Sequence, residues 1–476
     1  MAGNSDSEAL MSATEREQFL HALRSEGGQL SSFPEAFRAD REVALEAVRH
    51  RPGALRHLAP QLQADRELVL AAVRFDGRSL EFASATLRTD RAVVLDAVRA
   101  NGLALAHAAP ALRADREVVL AAVAGSGWAL ESATAELRAD REVVLAAVAR
   151  SGWALKYAQD ALRNDREVVA AALRSTGSAL EFAGPELRAD RELVLEAVRE
   201  DGAALGFAAP PLQADREVVL AAVRRGPGAL EHASPDLRAD RTVVLAAMQV
   251  DGKALRYVAP ALQADREVVL TAMRQRGWSL QYAAPELRAD REVVLTAVQQ
   301  DGWALFHAAP PLRADAQIVR AAALQETGSL THAALALRAD RAFMLDLVQH
   351  DGCALDFALP ALRADRELVL AAVTRCGWGL RLASDALRAD REVVLAAVRS
   401  YGPALEYAAP ELRRDREIVL TAVRENRYAV HYAPREMQFD PDIRQAAGDS
   451  AHWARMLEDM LKILSSANPP DATSGH

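Results

Sequence analysis

A short charged motif, Arg–Ala–Asp–Arg, is the most regular feature of the sequence that could do chemistry. Arg113, Asp115 and Arg116 form one copy, and Arg138 and Asp140 begin the next. Arginines that return at a fixed spacing can bind phosphate groups or acidic peptides. They can also pair with nearby carboxylates and join one copy to the next. Because acids alternate with bases at the same place in every copy, the local net charge is near zero, and we favour the second interpretation.

Tryptophan is the next candidate. It stands 13 residues after the Asp in five copies of the motif, at Trp128, Trp153, Trp278, Trp303 and Trp378. Another copy has Lys253 at this place, and a position that accepts both residue types is not deep in a core. Tryptophans in adjacent copies could form an exposed aromatic strip that binds a partner. Alternatively, they could cover the connection that follows the glycine before them. We take all five as a candidate partner-binding surface.

Two histidines, His307 and His332, lie 17 residues after the Asp in successive copies, where other copies have Tyr or Phe. They could approach each other, but a metal ion needs three or four ligands in a controlled geometry. No cysteine or carboxylate is arranged to complete such a set. Interchange with Phe indicates half-buried rings with an exposed edge. We therefore predict no metal site and add both histidines to the candidate partner-binding surface.

The sequence lacks the motifs of common enzyme classes. It contains no Walker loop, no G-x-G-x-x-G after a strand, no H-E-x-x-H and no nucleophile elbow. Nearly all carboxylates belong to the repeated motif, whereas an active site needs a unique set of residues. We predict that the chain is not an enzyme and uses no cofactor and no small-molecule substrate.

The elements that position these residues recur every 25 residues. Glu15 begins the series, and the Asp of the motif continues it without net insertion or deletion, at Asp40, Asp65, Asp90, Asp115, Asp140, Asp165, Asp190, Asp215, Asp240, Asp265, Asp290, Asp315, Asp340, Asp365, Asp390, Asp415 and Asp440. A constant period of this length is typical of a stacked array. We call each unit a repeat and give the Asp position 0.

The sequence pattern of each repeat predicts one α-helix of about ten residues and one shorter helical segment. The Asp is a good N-cap, and the apolar run after it, VVLAAV in several repeats, needs cover on more than one side. Gly stands at position 12 in 13 of the 17 repeats from Glu15 to Asp415, where we expect it to end the helix in the left-handed conformation.

The shorter segment follows this Gly, as in Leu155 and Ala158 of one repeat, and is predicted to be α or 3-10 helical. Pro at position 20, for example Pro60 or Pro110, would end that segment or begin a further turn. No segment alternates with period two, so no sheet is expected. The predicted fold class is all-α, an α-solenoid built as a superhelical array of 25-residue repeats.

The array is predicted to span residues 14–440 as about 17 repeats. Residues 1–13 are predicted to be a disordered tail, 441–465 a C-terminal capping helix region and 466–476 a second disordered tail. The capping prediction depends on an apolar stripe at helical spacing, Trp453, Met456, Leu457, Met460, Leu461 and Leu464.

The pattern LRxDREVVLxAVxxxGxALxxA resembles the repeats of domain of unknown function 4116 (DUF 4116) across almost the whole of 14–440. A unit of that family has about fifty residues, which corresponds to two repeats here. The resemblance implies a helical repeat array, and the family has no established activity. A weaker similarity is to leucine-rich variant repeats, whose usual Asn-Pro turn is replaced by Gly in this chain.

Composition restricts the partners further. The net charge of −9 argues against bulk binding of polyanions. The two cysteines make no disulfide framework, the N-terminus has no signal-peptide pattern, and no apolar run approaches the ~18 residues needed to cross a bilayer. We expect a soluble, cytoplasmic, monomeric protein that does not enter a membrane.

Two functions remain open at this point. The first is a scaffold that binds unidentified proteins, with specificity set by the varied positions 10, 11, 13, 16 and 17. The second is a helical-repeat reader of nucleic acid with one nucleotide per repeat. The mixed charges at position 16, which include Arg56, Glu81 and Lys156, count against the second function.

Overall fold

The computed structural model describes residues 38–448, in which all regular structure is helical and no strand occurs. The predicted tails at 1–13 and 466–476 lie outside the described residues. So does most of the predicted capping region, including its apolar stripe from Trp453 to Leu464. The described part of that region is the helix Pro441–Ala447, which ends at Gly448 in the left-handed conformation.

One long α-helix opens each repeat, directly after the Asp. These helices have ten residues each and are Arg41–His50, Arg66–Phe75, Arg91–Ala100, Arg116–Gly125, Arg141–Arg150, Arg166–Ser175, Arg191–Glu200, Arg216–Arg225, Arg241–Val250, Arg266–Gln275, Arg291–Gln300, Ala316–Gln325, Arg341–His350, Arg366–Arg375, Arg391–Ser400 and Arg416–Glu425.

The Asp forms the predicted N-cap. In the repeat that starts at Asp140, one carboxylate oxygen accepts hydrogen bonds from the amides of Glu142 at 2.9 Å and Val143 at 3.1 Å. These amides have no partner inside the helix, so the carboxylate satisfies them and also suits the positive end of the helix dipole.

The core lies between neighbouring long helices. Val143, Val144, Ala147 and Val148 are completely buried, and their helix packs on both the preceding and the following long helix. Leu145 is half-buried and faces outward. A single repeat cannot bury its apolar residues alone, which explains why the pattern must recur.

A 3-10 helix of six residues follows each long helix. These helices are Pro52–His57, Gly77–Phe82, Gly102–His107, Gly127–Ser132, Gly152–Tyr157, Gly177–Phe182, Gly202–Phe207, Pro227–His232, Gly252–Tyr257, Gly277–Tyr282, Gly302–His307, Thr327–His332, Gly352–Phe357, Gly377–Leu382, Gly402–Tyr407 and Arg427–Tyr432. The prediction of a short helical segment is therefore confirmed.

The role predicted for the glycine at position 12 is wrong. Among the described glycines only Gly448 has a positive φ. The long helix ends instead on an extended residue, for example Ser126 with φ −152°. A Cβ on Gly127 would lie 2.5 Å from the carbonyl oxygen of Ala147 in the next repeat. The position lacks a side chain because two repeats approach closely there.

A third segment completes the repeat and corresponds to the further turn that was one of the two predictions for position 20. It is one turn of α-helix at Pro60–Gln63, Pro110–Arg113, Asp160–Arg163, Pro185–Arg188, Pro210–Gln213, Pro235–Arg238, Pro260–Gln263, Leu335–Ala339, Asp385–Arg388 and Arg435–Gln438. In the other repeats it is a 3-10 turn at Leu87–Thr89, Leu137–Ala139, Leu287–Ala289, Leu312–Ala314, Leu362–Ala364 and Leu412–Arg414.

Proline at position 20 begins several of the α-helical turns, for example Pro60–Gln63, where its fixed φ is suitable and its missing N–H costs nothing. Backbone hydrogen bonds link successive third segments. The amide of Ala109 donates to the carbonyl of Arg88 at 3.0 Å, and the amide of Thr134 donates to that of Arg113 at 3.2 Å. The third segments therefore form a hydrogen-bonded edge of the array.

The chain forms two compact units. Among the described residues, one comprises 38–250 with Tyr257–Ala259, and the other comprises Asp251–Arg256 with 260–448. Within each unit the described repeats pack side by side as an α-solenoid, as predicted. No helix among residues 38–448 is long and apolar enough to cross a membrane.

Candidate protein-binding face

The repeated Arg–Asp motif forms a ladder between neighbouring repeats. The Nε of Arg116 donates to Asp140 at 2.9 Å, through the carboxylate oxygen that does not cap the helix. The same guanidinium also pairs with Glu142. Equivalent pairs recur along both units, for example Arg366 with Asp390 at 2.8 Å. The ladder thus uses the arginine at position 1 for stacking.

The arginines of the ladder lower the pKa values of the capping aspartates that they contact. The hydrogen bond from Arg116 and the amide of Val143 hold the pKa of Asp140 below its usual range. The ladder is interrupted at Ala316, which stands where most repeats have Arg. Within residues 38–448 the carboxylate of Asp340 accepts only the amide of Phe343. This natural gap offers an internal control for the contribution of the arginine.

The tryptophans at position 13 do not stack on one another. Each contacts the ring at position 17 of the next repeat, edge to face. The pairs are Trp128 with Tyr157, Trp153 with Phe182, Trp278 with His307, Trp303 with His332 and Trp378 with Tyr407. The expected strip is therefore a series of mixed aromatic pairs that bridge repeats.

Exposure of the candidate tryptophans is partial. Trp128, Trp278, Trp303 and Trp378 leave 40–42% of their surface exposed, and Trp153 is half-buried. Each of these side chains is thus partly buried and partly exposed. The buried part of each side chain is compatible with covering the connection after the glycine, and the exposed part is compatible with an aromatic surface.

The structure brings His307 and His332 together through a third ring that was not among the predicted site residues. The ring of Phe306 lies 4.9 Å from His307 and 4.8 Å from His332, measured between centroids. Phe306 occupies position 16, which is charged in most repeats, and 47% of its surface is exposed. The interruption of the charged pattern was the available signal.

Two arginines that lie two residues before an Asp, Arg288 and Arg313, are close to these rings. Arg313 donates to the carbonyls of Phe306 and Ala308, both at 2.8 Å. Burial, followed by the charges of Arg288, Arg313 and His332, lowers the pKa of His307. Its Nε2 atom is buried without a hydrogen-bond partner. The neutral ring is therefore favoured at this site.

No cluster of three or more His, Cys, Asp or Glu side chains suited to a metal occurs among residues 38–448. Cys353 and Cys376 are free thiols in neighbouring repeats. Burial and contact with the Cys376 thiol raise the pKa of Cys353 to about 12. A thiol with so high a pKa is a poor nucleophile, which agrees with an incidental role.

Comparison with known proteins agrees with the repeat architecture. A family model described as domain of unknown function (DUF4116) matches nine segments, at residues 65–113, 115–163, 140–188, 165–213, 215–263, 265–313, 290–338, 340–388 and 390–438. Each segment spans two of the 25-residue repeats. No curated protein matches the chain. Because the matched segments cover more than half of its length, the chain belongs to the DUF4116 family, a family defined by its repeats and not by an activity.

Proposed function

We propose that the chain is a non-enzymatic scaffold that binds another protein along the face formed by positions 13, 16 and 17. The supporting observation is that the constant charged residues and the varied residues occupy different places. Arg116 and Asp140 are bound to neighbouring repeats, whereas Trp303 and Phe306 present exposed rings. Partly exposed aromatic side chains on a rigid frame are frequent in binding hot spots.

Affinity purification of the full chain from its native cell tests this proposal. Two paired variants, Trp128→Ala with Trp153→Ala and Trp278→Ala with Trp303→Ala, remove the aromatic pairs of adjacent repeats. Glu142→Ala, which changes the ladder, is the control. We expect at least one paired variant to lose a partner that the control retains. Retention of every partner by both paired variants would refute the proposal.

A nucleic-acid reader is the second function that this face could serve, since rings and arginines together bind single strands. The guanidinium of Arg381 lies 5.3 Å from the ring centre of Trp378. However, Arg381 is already paired with Asp356 at 3.0 Å. Burial raises the pKa of Tyr157, and another carboxylate of the face, Glu131, lies close enough to add to this rise. Carboxylates on the face repel phosphates, so we expect no shift of single-stranded RNA or DNA in a low-salt gel.

We also propose that the protein works as a monomer in the cytoplasm. Free thiols at Cys353 and Cys376 fit a reducing compartment. Sedimentation of the purified chain and imaging of a tagged chain in its native cell test the two statements. A dimer at low concentration, or a tag confined to an organelle, would contradict them.

A further inference from the structure

One segment of the face differs from the rest in its charge. In the three repeats that start at Asp265, Asp290 and Asp315, position 16 holds Gln281, Phe306 and Thr331. None of these is charged, whereas most other repeats have an acid or a base at this position. The same three repeats contribute the rings Trp278, Trp303, Phe306, His307 and His332, which together with Arg288 and Arg313 we call the aromatic–arginine patch.

The rings of the patch form one connected cluster within one compact unit. Trp278 lies 4.6 Å from His307, and Trp303 lies 5.9 Å from His332. Phe306 joins the two pairs. The two tryptophans and Phe306 are 40–47% exposed. The cluster therefore presents several ring edges at one place.

The arginines of the patch have no carboxylate partner among residues 38–448. Arg313 donates to two backbone carbonyls, and the Nε of Arg288 is buried without a hydrogen-bond partner. Arginines at the same position in other repeats, such as Arg113 and Arg188, also have a buried Nε without a hydrogen-bond partner, so this segment differs from the others at position 16, where it has no carboxylate. The nearby carboxylate of Asp301 opposes the lowering of the His307 pKa that burial causes. It also accepts a hydrogen bond from the amide of Trp303 at 3.0 Å. The patch therefore combines two guanidinium groups with exposed rings and has no carboxylate at position 16.

We propose that the aromatic–arginine patch binds an extended acidic peptide segment of a partner protein. Carboxylates suit the fork of donors on an arginine, and apolar side chains suit the exposed rings. Neighbouring helices lie about 8–10 Å apart, and an extended chain in the polyproline II conformation advances about 3.1 Å per residue with three residues per turn, so residues three apart share one face. Acidic residues three apart, with an apolar residue between them, would therefore match arginines of successive repeats. This inference rests on the proposed function and identifies its partner chemistry.

A short peptide fits the patch better than a long phosphate backbone. At the next charged position 16, Asp356 is present and binds Arg381, so the unneutralised charge ends within a few repeats. A nucleic acid gains affinity from many phosphates along a longer basic track. A peptide needs only a few contacts and uses the apolar rings as well.

The chain itself supplies a matched substitution for the arginines. In other repeats glutamine stands two residues before the Asp, and it donates to the same kind of carbonyl. Gln213 donates to Ala208, and Gln263 donates to Leu255. Replacement of Arg288 and Arg313 by Gln thus removes the charge but keeps an amide donor for the 3-10 helix.

The test uses the full chain and a fluorescein-labelled synthetic peptide of Glu-Phe-Ser units, followed by fluorescence anisotropy. The same peptide with Gln in place of Glu and a single-stranded oligonucleotide are the comparison probes. We expect the Arg288→Gln and Arg313→Gln double variant, and the Trp278→Ala and Trp303→Ala double variant, to bind the acidic peptide at least about tenfold more weakly. The Trp128→Ala and Trp153→Ala double variant should bind it unchanged.

Equal binding of the Glu and Gln peptides, equal loss in the control variant, or tighter binding of the oligonucleotide would overturn the inference. Circular dichroism of each variant establishes that it is folded. If the acidic peptide fails to bind but affinity purification still finds a partner that depends on the other tryptophan pair, only this inference fails. If no partner depends on either pair, the proposed function fails as well.

Discussion

A single aspartate carries two contacts with different origins. One oxygen of Asp140 caps its own helix, and the other accepts the Nε of Arg116 from the preceding repeat. The sequence predicts both contacts, because an Asp before an apolar run is an N-cap signal and the alternating charges suggest pairing between repeats. The sequence cannot show which arginine pairs with Asp140. Arg138 lies two residues before it, whereas Arg116 belongs to the preceding repeat.

Replacement of Asp140 by Ala should lower the free energy of unfolding, since the cap alone contributes about 1 kcal/mol and the contact with Arg116 is lost too. Asp140→Asn should have a smaller effect, because Asn still caps the helix. Asp340→Ala is the matched control, since Ala316 provides no arginine in that repeat. Thermal unfolding followed by circular dichroism should show a smaller shift for Asp340→Ala than for Asp140→Ala. The reverse order would mean that the ladder adds nothing.

His307 should make stability depend on pH. Its pKa is lowered in the folded chain by burial, by Arg288 and Arg313 and by His332, with Asp301 opposing them. The unfolded chain therefore binds more protons below about pH 6.5, and stability present above that pH is lost as the pH falls through the lowered pKa.

The variant His307→Phe, which has the residue found at position 17 in other repeats, should lose less stability than the wild type between pH 7 and pH 5. Thermal midpoints measured across this range check the prediction. The acidic groups of the ladder titrate in both proteins, so only the difference between the two proteins reports on His307. Identical slopes would exclude the histidine as a source of the pH dependence.

At the level of elements, local patterns predicted the long helix and the 3-10 helix but not the reason for the glycine between them. A Gly just after a helix usually indicates a left-handed C-cap. In this chain Ser126 ends the helix in an extended conformation, and Gly127 contacts the backbone of the next repeat. That contact joins residues that are distant in sequence, so no local rule could reveal it.

Gly127→Ala should destabilise the chain by about 1–3 kcal/mol through overpacking, because its Cβ would lie 2.5 Å from the Ala147 oxygen. Gly228→Ala is the control, since a Cβ there meets no atom within 4 Å. It should be neutral or stabilising by about 0.4–1 kcal/mol, because Ala restricts the unfolded chain more than Gly does. Chemical denaturation of the two variants gives the comparison. Equal losses would show that the glycine is kept for its flexibility and not for the close approach.

For the whole molecule, the constant 25-residue period was sufficient to predict the fold class, because each repeat packs on its sequence neighbours. The candidate site was only partly predictable. The tryptophans and histidines were identified from their positions, but Phe306 was not. The absence of carboxylate partners around Arg288 and Arg313 becomes visible only when side chains of different repeats are placed together.

Stacking of equivalent neighbours predicts that a whole repeat can be removed. Deletion of residues 116–140 joins Asp115 to Arg141, so Asp115 would cap the helix Arg141–Arg150 and Arg91 would keep Asp115 as its partner. The shortened chain should retain its helical circular dichroism per residue and unfold only a few degrees lower, since stability in such arrays is a sum over repeats and their interfaces. Deletion of residues 116–127 is the control, because it leaves a repeat without its long helix. It exposes the apolar faces of both neighbouring repeats and should cause a large loss of helicity. If both deletions had the same effect, neighbour packing in register would not be what holds the array together.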